Sequence, residues 1–472
     1  VILESQEQNP LTITQNSNLY YTLDEKNIFA IEAQYEYSDE DPFYNVLRDE
    51  QPFVGILPLD TEQNEFNIGQ RQFTKTHRLD AKLDYFWVLG PKSNLNFTLG
   101  TIQSSQRFDS SIFQILDSGD QNTFGDEDLG NTVDFSFSDN YLGLHYKIIS
   151  GKFTFNPGFH VHNYRAKNEQ LGSEVVDTKF NILPDLFINF QLKQSENLRF
   201  NYTVQREFSD INRFARGYLF SNYNALYQGN RDLESALFHR VQLNFLSFKM
   251  FNQQNIFANL VYSKRIDAFK TNTGIVGINQ VNTPINSNLD DETLSGTGNY
   301  QRTFGRIKVS AQSIIAYSNT FNIVNDIAQN SKSLTQDYLA SVGSSFIKVP
   351  NLEVGYRYTV NQYETGGTES TFFTDRPFAR LDFAFLKGFI LLADYDYYFY
   401  RDRNQTIENK YGFLNASLSY QKPSSKWEFS ISATNLTDNQ DLNQDTFNDF
   451  FFRTSQYLVQ PRYILFKVKY DL

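Results

Sequence analysis

The chain ends in RYILFKVKYDL, Arg462–Leu472, and this stretch predicts a β-strand with two unlike faces. From Ile464 onward every second residue is apolar, and Lys467 and Lys469 lie between the apolar residues. Successive side chains of a strand point to opposite faces, so the alternation gives one apolar face and one charged face. Chain ends usually fray. An apolar face that continues to the end therefore indicates an apolar environment on one side of this strand.

The same alternation recurs along the whole chain. Apolar residues occupy every second position in the segments 29–37, 79–87, 198–204, 352–360 and 427–433. Aromatic residues make up 16% of the chain, and its 45 Phe and 29 Tyr belong to residue types that favour strands. No apolar run approaches the roughly 18–20 residues that a membrane helix needs. The sequence therefore predicts an all-β protein.

Short and long connections separate the predicted strands. The short connections are polar turns at 24–27, 90–93, 150–152, 193–197, 252–255, 304–306, 349–351, 386–388 and 421–426. The long connections are rich in Asn, Asp, Gly and Ser and lie at 39–69, 108–130, 208–230, 272–290 and 438–450. Short periplasmic turns and long extracellular loops are typical of outer-membrane barrels.

We therefore predict a transmembrane antiparallel β-barrel over residues 1–472, with about 19 strands of ~10–20 residues each. The apolar faces contact lipid and the charged faces line the lumen. The last strand is expected to close the barrel, because an open sheet edge in lipid leaves backbone groups unpaired. A soluble sandwich is disfavoured because its strands average ~5–6 residues. A propeller is disfavoured because no repeat of about 40–50 residues is present.

The number of strands predicts that the barrel begins before Val1. With the short turns in the periplasm, the first and the last visible strands both run inward, so the visible strands are odd in number. Single-chain bacterial barrels normally have an even number. We expect a barrel of about 22 strands whose N-terminal plug and first strands are absent from this chain.

Composition and motifs exclude several classes of function. The net charge of −12 argues against binding to nucleic acid through a basic face. The absence of cysteine excludes disulfides and thiolate metal ligands. The sequence has no nucleophile elbow, P-loop or His-Glu-x-x-His motif. We therefore predict no enzymatic activity, no catalytic residues and no cofactor-binding residues.

One region resembles a known family. Residues 181–270 contain a strand pair with a Leu-Pro dipeptide and an Asn-Leu-Arg segment, followed by a loop that ends in GNRDLESA. This pattern resembles the C-terminal barrels of TonB-dependent receptors and of the related outer-membrane β-barrel family, whose loop ends in GNPDLKPE. The matching residues are Leu183, Pro184, Asn197, Leu198, Arg199, Phe200, Gly229, Asn230, Asp232, Leu233 and Glu234.

The resemblance implies an integral protein of the Gram-negative outer membrane that takes up a nutrient. In the family a plug and a TonB box precede the barrel, and the energy-coupling TonB protein is the partner of the box. The alternative is a barrel without transport activity, which serves as a structural or partner-binding subunit of an outer-membrane complex. Its long acidic and aromatic loops would then seat a surface lipoprotein.

Two histidines are the first candidates for metal binding. His160 and His162 are two residues apart on a predicted strand, so both face the lumen between the apolar Phe159 and Val161. A metal site needs a third ligand, and the sequence pattern offers none nearby. We therefore predict that the pair lines the lumen and that the chain holds no metal site.

Acidic loops offer a second kind of candidate. Segment 117–130 offers five candidate oxygen ligands, and segment 438–449 is similarly acidic. Oxygen ligands suit calcium, but the spacing departs from the EF-hand pattern, so solvated loops are the expected interpretation and calcium the alternative. The candidates in the first segment are Asp117, Asp120, Asn122, Asp126 and Asp128. The charges expected in the lumen are Arg199, Lys264, Glu353, Arg357, Arg380, Asp382, Asp394 and Asp396.

Overall fold

The computed structural model describes residues 2–125, 127–266, 268–347, 349–447 and 452–471, and strands dominate it. The helices there are α1 (Ile211–Phe214) and a 3-10 turn (Glu127–Leu129), and neither has the length or the apolarity to cross a membrane. The strands are β1 (Ile2–Glu7), β2 (Leu11–Thr22), β3 (Asn27–Glu40), β4 (Phe43–Arg48), β5 (Phe66–Gly90), β6 (Ser93–Ile115), β7 (Gln121–Thr123), β8 (Gly130–Ser150), β9 (Phe153–Gln170), β10 (Ser173–Lys193), β11 (Glu196–Glu207), β12 (Tyr218–Asn222), β13 (Ala225–Gln228), β14 (Ala236–Lys249), β15 (Gln254–Ile266), β16 (Ala268–Val276), β17 (Asn279–Ser287), β18 (Asp291–Phe304), β19 (Ile307–Val324), β20 (Ile327–Ser344), β21 (Asn351–Thr365), β22 (Thr368–Phe385), β23 (Phe389–Asp402), β24 (Glu408–Gln421), β25 (Trp427–Thr434), β26 (Asp441–Phe447), β27 (Phe452–Leu458) and β28 (Tyr463–Tyr470).

Nineteen of the described strands form one continuous path of antiparallel neighbours. The path runs β2, β3, β5, β6, β8, β9, β10, β11, β14, β15, β18, β19, β20, β21, β22, β23, β24, β25 and β28. Six short strands in the connections and β1, which precedes β2, extend it to a sheet of 26 strands. The predicted antiparallel architecture is confirmed, and its number of wall strands agrees with the number expected from the sequence.

The connections differ from the prediction on one side of the sheet. All nine short turns lie where the sequence placed them. The segments predicted as long loops, however, carry strands of their own: β5 is 25 residues long, and β16 and β17 form a hairpin over 268–287. Antiparallel pairing therefore continues into these segments, as between β5 and β6 over 67–74 and 108–115. Segment 438–450 is only partly described.

The two faces of the sheet follow the predicted alternation. Phe200 of β11 lies opposite Ile188 and Leu243 on its two neighbours, and these three apolar residues form a continuous outer stripe. The adjacent Asn201 points to the other face. Apolar residues on the outer face remain well exposed, as in Leu142, which is 59% exposed. A face of this kind is stable against lipid.

The two ends of the path each have one paired edge. Among the described residues, β2 pairs with β3 and β28 pairs with β25. Both strands run toward the side of the short turns, so β2 and β28 are parallel in direction and are not antiparallel neighbours. The last strand therefore does not close the barrel by pairing with β2. The number of strands in the whole barrel stays a prediction.

The facing of the wall predicts a contrast between two adjacent substitutions. Phe200→Arg places a cation against lipid and is expected to cost ~2–4 kcal/mol near the midplane. Asn201→Arg, at the same depth, places it in the aqueous lumen and is expected to cost little. Urea titration of the protein folded into lipid vesicles measures both free energies. Equal costs for the two variants would contradict the assignment of the faces.

Candidate functional site

A cavity of about 790 Å³ lies on the lumen side of the wall. Its floor is formed by inward-facing side chains of β8, β9 and β10, and its roof by residues 205–210 at the end of β11. Charged, aromatic and imidazole groups all reach it, including Arg78, Arg206 and Tyr164. Binding cavities for small molecules have ~300–1,000 Å³, so the cavity has the size and the mixed polarity of a ligand site.

The roof continues into the mouth loop, residues 208–235, which connects β11 to β14 and folds back against the inner wall. Side-chain amides of three wall strands bind its backbone. Gln70 accepts a hydrogen bond from the Phe220 amide at 2.7 Å, and Asn131 accepts one from the Gly217 amide at 2.7 Å. Gln170 donates to the Phe214 carbonyl at 2.8 Å. All three side chains are buried.

Asn131 and Gln170 each use both the nitrogen and the oxygen of the side-chain amide. Asn131 Nδ2 donates to the Gly217 carbonyl at 3.1 Å, so one side chain satisfies both backbone groups of this residue. Gln170 Oε1 accepts from the Arg216 amide at 3.2 Å. Buried backbone groups need such partners when no strand neighbour is present. The amides therefore supplement the strand pairing of the mouth loop, in which β12 pairs with β13 and β13 with β17.

Apolar packing holds the same loop from the other side. Phe214 stacks on Phe135 of β8 with ring centroids 5.2 Å apart. Its neighbours Ile211 and Leu219 join a buried cluster with the inward-facing Phe108. A second cluster lies nearby and joins loop 49–65 to the tip of the mouth loop. Its members are Val46, Phe53, Leu57, Leu59, Ile68, Ile112, Leu129, Phe220 and Leu226. The extracellular connections thus have hydrophobic cores of their own.

Tyr227 is an unusual group in this cap. Burial raises the pKa of its phenol to about 12, and its hydroxyl is buried without a hydrogen-bond partner. A phenol with so high a pKa stays neutral at physiological pH. The side chain therefore contributes to packing of the cap and carries no charge there.

The two predicted histidines both face the cavity, as expected. Nδ1 of His162 lies 2.9 Å from a carboxylate oxygen of Asp139. Nδ1 of His160 lies 3.6 Å from Asp185 on β10, and Nε2 of His145 on β8 lies 2.8 Å from the same oxygen. The premise that no third ligand lies near His160 is therefore wrong. Sequence reasoning missed two partners, because they come from neighbouring strands.

The sequence does contain a pattern that places His145 beside His160. The two strands of the β8–β9 hairpin each carry a Gly-apolar-His triplet, 143–145 and 158–160. In the antiparallel register each histidine lies opposite the glycine of the other triplet. A repeated triplet of this kind on adjacent strands predicts two imidazoles side by side on one face.

The predicted lumen charges are mostly paired across strands. Arg357 lies 3.0 Å from Asp337, and Asp396 lies 2.8 Å from Arg376. Further contacts join Lys264 to Asp290 and Glu292, Arg380 to Glu353, and Asp394 to Asn415. Arg199 and Asp382 are exposed. Most of these charges thus have a partner along the wall, and five of them line one further cavity: Glu353, Arg380, Asp382, Asp394 and Asp396.

The acidic loop residues are occupied by local contacts. Asp117 accepts hydrogen bonds from the backbone and side-chain amides of Asn64 at 3.1 and 2.6 Å, and Asp120 accepts one from Ser118 at 2.9 Å. Asp126, like Asn448 and Asp449 of the second acidic segment, lies outside the described residues. The interpretation of these segments as solvated loops stays a prediction, with calcium binding as its alternative.

The sequence places the chain in a family. Residues 21–470 match the model of the outer membrane protein beta-barrel family, and the chain belongs to this family. It is therefore an integral protein of the Gram-negative outer membrane, as expected from the resemblance. Comparison with curated protein sequences gives no significant match.

Solved structures with a similar course of the chain are receptors and transporters of the outer membrane. The copper transporter OprC has 10% identity and a TM-score of 0.37, with 99% of this chain and 80% of that chain covered. The ferric yersiniabactin uptake receptor FyuA from Yersinia pestis has 8% identity and a TM-score of 0.37, with 98% and 79% covered. The Serratia marcescens hemophore receptor HasR has 11% identity and a TM-score of 0.42, with 99% and 70% covered.

The amide contacts predict how the mouth loop is released. Asn131→Ala leaves the Gly217 amide and carbonyl buried without partners, and each such group costs ~1–3 kcal/mol. The mouth loop is therefore expected to open more often while the barrel stays folded. Hydrogen exchange of peptides from 208–235 is expected to be at least about tenfold faster.

Asn140→Ala on the same strand is the control, because Asn140 is exposed and contacts only polar side chains of the wall. Its exchange in 208–235 is expected to match that of the wild type. Unchanged exchange in Asn131→Ala would show that the amide contacts do not hold the loop.

Proposed function

We propose that the protein is an outer-membrane uptake transporter whose solute enters beneath the mouth loop. The observation that carries this proposal is the cavity between the mouth loop and the lumen wall. It combines charged groups of both signs with imidazole and aromatic rings, such as Arg206, Asp139 and Phe208. A nutrient with polar groups finds complementary partners there, and the outer face of the same wall suits lipid.

The position of the cavity supports uptake over simple adhesion. The mouth loop lies against the inner wall through side-chain amides, apolar packing and a short pairing of β13 with β17, so its release leaves the pairing of the nineteen wall strands intact. Binding loops are drawn from such less stable parts of a fold. A wide barrel normally has an obstructed lumen.

Energy coupling through the TonB protein belongs to the proposal, so accumulation of the solute is expected to need TonB in the same cells.

Cell uptake tests the proposal directly. Cells lacking the gene and cells carrying it are grown under limitation for single nutrients, and depletion of the medium is followed by elemental analysis and mass spectrometry. We expect at least one solute whose depletion requires the gene. The tryptophan of Ser209→Trp fills the cavity from its roof. Cells that carry this variant are expected to deplete the solute at least about tenfold more slowly than wild-type cells, because a blocked site loses ligand contacts.

Leu142→Trp is the matched control, since Leu142 faces outward and a tryptophan there only adds to the apolar surface. Cells that carry this variant are expected to deplete the solute as fast as wild-type cells. Equal depletion by wild-type cells and cells lacking the gene under every limitation would overturn the uptake proposal. Full activity of Ser209→Trp would show that solute does not pass through the cavity.

A partner-binding barrel is the second candidate, and the tips of two extracellular hairpins favour it. Val276 is 81% exposed, Ile278 57% and Ile327 63%. Asn272 holds the two tips together by a 2.6 Å hydrogen bond to Asp326. Exposed apolar tips fixed in place suit a protein partner such as a surface lipoprotein. Purification in mild detergent without a stoichiometric partner would count against this candidate.

A further inference from the structure

Three potential metal ligands converge on one point of the lumen wall. They are His145 on β8, His160 on β9 and Asp185 on β10, and their ligand atoms all lie within 4.8 Å of one another. Nε2 of His145 lies 2.8 Å and Nδ1 of His160 lies 3.6 Å from Oδ2 of Asp185. A tetrahedral ion with bonds of about 2.0–2.2 Å separates its ligand atoms by ~3.3 Å. The two distances to Asp185 therefore already lie near the spacing that such an ion requires.

The backbone opposite each imidazole is shaped to receive it. A Cβ on Gly143 would lie 2.6 Å from Cδ2 of His160, and a Cβ on Gly158 would lie 2.0 Å from Cδ2 of His145. Each ring thus lies directly over a glycine of the neighbouring strand. Glycine within a strand weakens it and often marks a close approach. The two glycines let both rings lie along the wall and turn their nitrogens toward Asp185.

The site is neither closed nor fully exposed. The side chains of His145, His160 and Asp185 are 14%, 29% and 21% exposed, and all three line the cavity. Three protein ligands with access to a cavity leave a coordination position for water or for a solute atom. Among the residues that the structure describes, no other set of three histidine or carboxylate side chains meets in this way.

We propose that His145, His160 and Asp185 form a binding site for a divalent transition-metal ion of the zinc class. Two imidazole nitrogens and one carboxylate oxygen suit Zn²⁺, Co²⁺ or Ni²⁺, whereas Ca²⁺ and Mg²⁺ prefer sites made of oxygen. A soft Cu(I) site would need thiolate or thioether ligands, and the chain has no Cys and one Met. Metal binding here depends on the geometry of the wall and is independent of the proposed uptake.

The neighbouring pair supplies an internal control. His162 and Asp139 lie on the same two strands, β9 and β8, and line the same cavity. Their hydrogen bond of 2.9 Å resembles the contact between His145 and Asp185, but no third ligand joins them. A simple imidazole–carboxylate pair and a three-ligand site can therefore be compared within one protein.

Metal titration of the purified full chain in detergent tests the proposal. After treatment with a chelator, Zn²⁺ binding is measured by equilibrium dialysis with elemental analysis, and Co²⁺ serves as the spectroscopic probe. We expect one tight ion per chain and visible Co²⁺ bands of a four-coordinate nitrogen–oxygen site. His145→Ala and His160→Ala are each expected to weaken Zn²⁺ binding by about tenfold or more, since even outer partners of a metal site contribute about 10–100-fold.

Two further variants separate a metal site from general damage. Gly158→Ala keeps all three ligands but displaces the His145 ring, so it is expected to weaken Zn²⁺ binding in the same direction. His162→Ala is expected to bind Zn²⁺ like the wild type. Heat-modifiable migration on gels checks that each variant is folded. Wild-type protein that binds no Zn²⁺ or Co²⁺, or an equal loss of binding in His162→Ala and His145→Ala, would overturn the proposal.

Discussion

Backbone hydrogen bonding in lipid is the constraint on which the rest of this structure depends. Hydrocarbon offers no partner to an unpaired amide or carbonyl, so every spanning strand needs a neighbour on each side. Seventeen of the nineteen described wall strands have an antiparallel neighbour on each side, and the end strands β2 and β28 are paired on one side. Alternation of the side chains then follows from the strand itself, and it divides the wall into a face for lipid and a face for water.

The water-filled face allows chemistry that the lipid face forbids. Side chains that face the lumen do not contact lipid, so polar residues can lie side by side on adjacent strands. Asn131 and Gln170 use this freedom to hold the mouth loop, and His145, His160 and Asp185 use it to gather three ligands. The mouth loop is held by side-chain amides, by apolar packing and by a short pairing of β13 with β17. It is therefore the part of the chain whose attachment can change without opening the wall.

Much of the wall could be predicted from the sequence, because each strand carries its own period-two pattern. The alternation at 352–360 predicted both the strand and the outward face of Val354, and the nine polar turns were all placed correctly. The extracellular cap was not predicted. Phe214 and Leu219 are apolar residues in a segment rich in polar ones, and their contacts with Phe108 join positions more than a hundred residues apart. Local pattern carries no information about such distant contacts.

The sequence predicted one part of the candidate site, the facing of its histidines, and missed the contacts between strands. His160 and His162 were assigned correctly to the lumen, because facing depends only on the parity within one strand. The meeting of His160 with Asp185 depends on the register between two strands, and register is fixed by the turn at 171–172 and by packing. The paired Gly-apolar-His triplets were the available signal. They become readable only once β8 and β9 are known to be neighbours.

Labelling of single cysteines tests the central claim, a wall with a lipid face and an aqueous lumen, most directly. The chain has no cysteine of its own, so each introduced thiol is the sole target. A water-soluble maleimide is applied to outer membranes that contain Val354→Cys or Glu353→Cys. The account predicts labelling of the thiol at position 353 and protection of the thiol at position 354 until detergent is added. Equal labelling of the two positions, or protection at 353 alone, would contradict it.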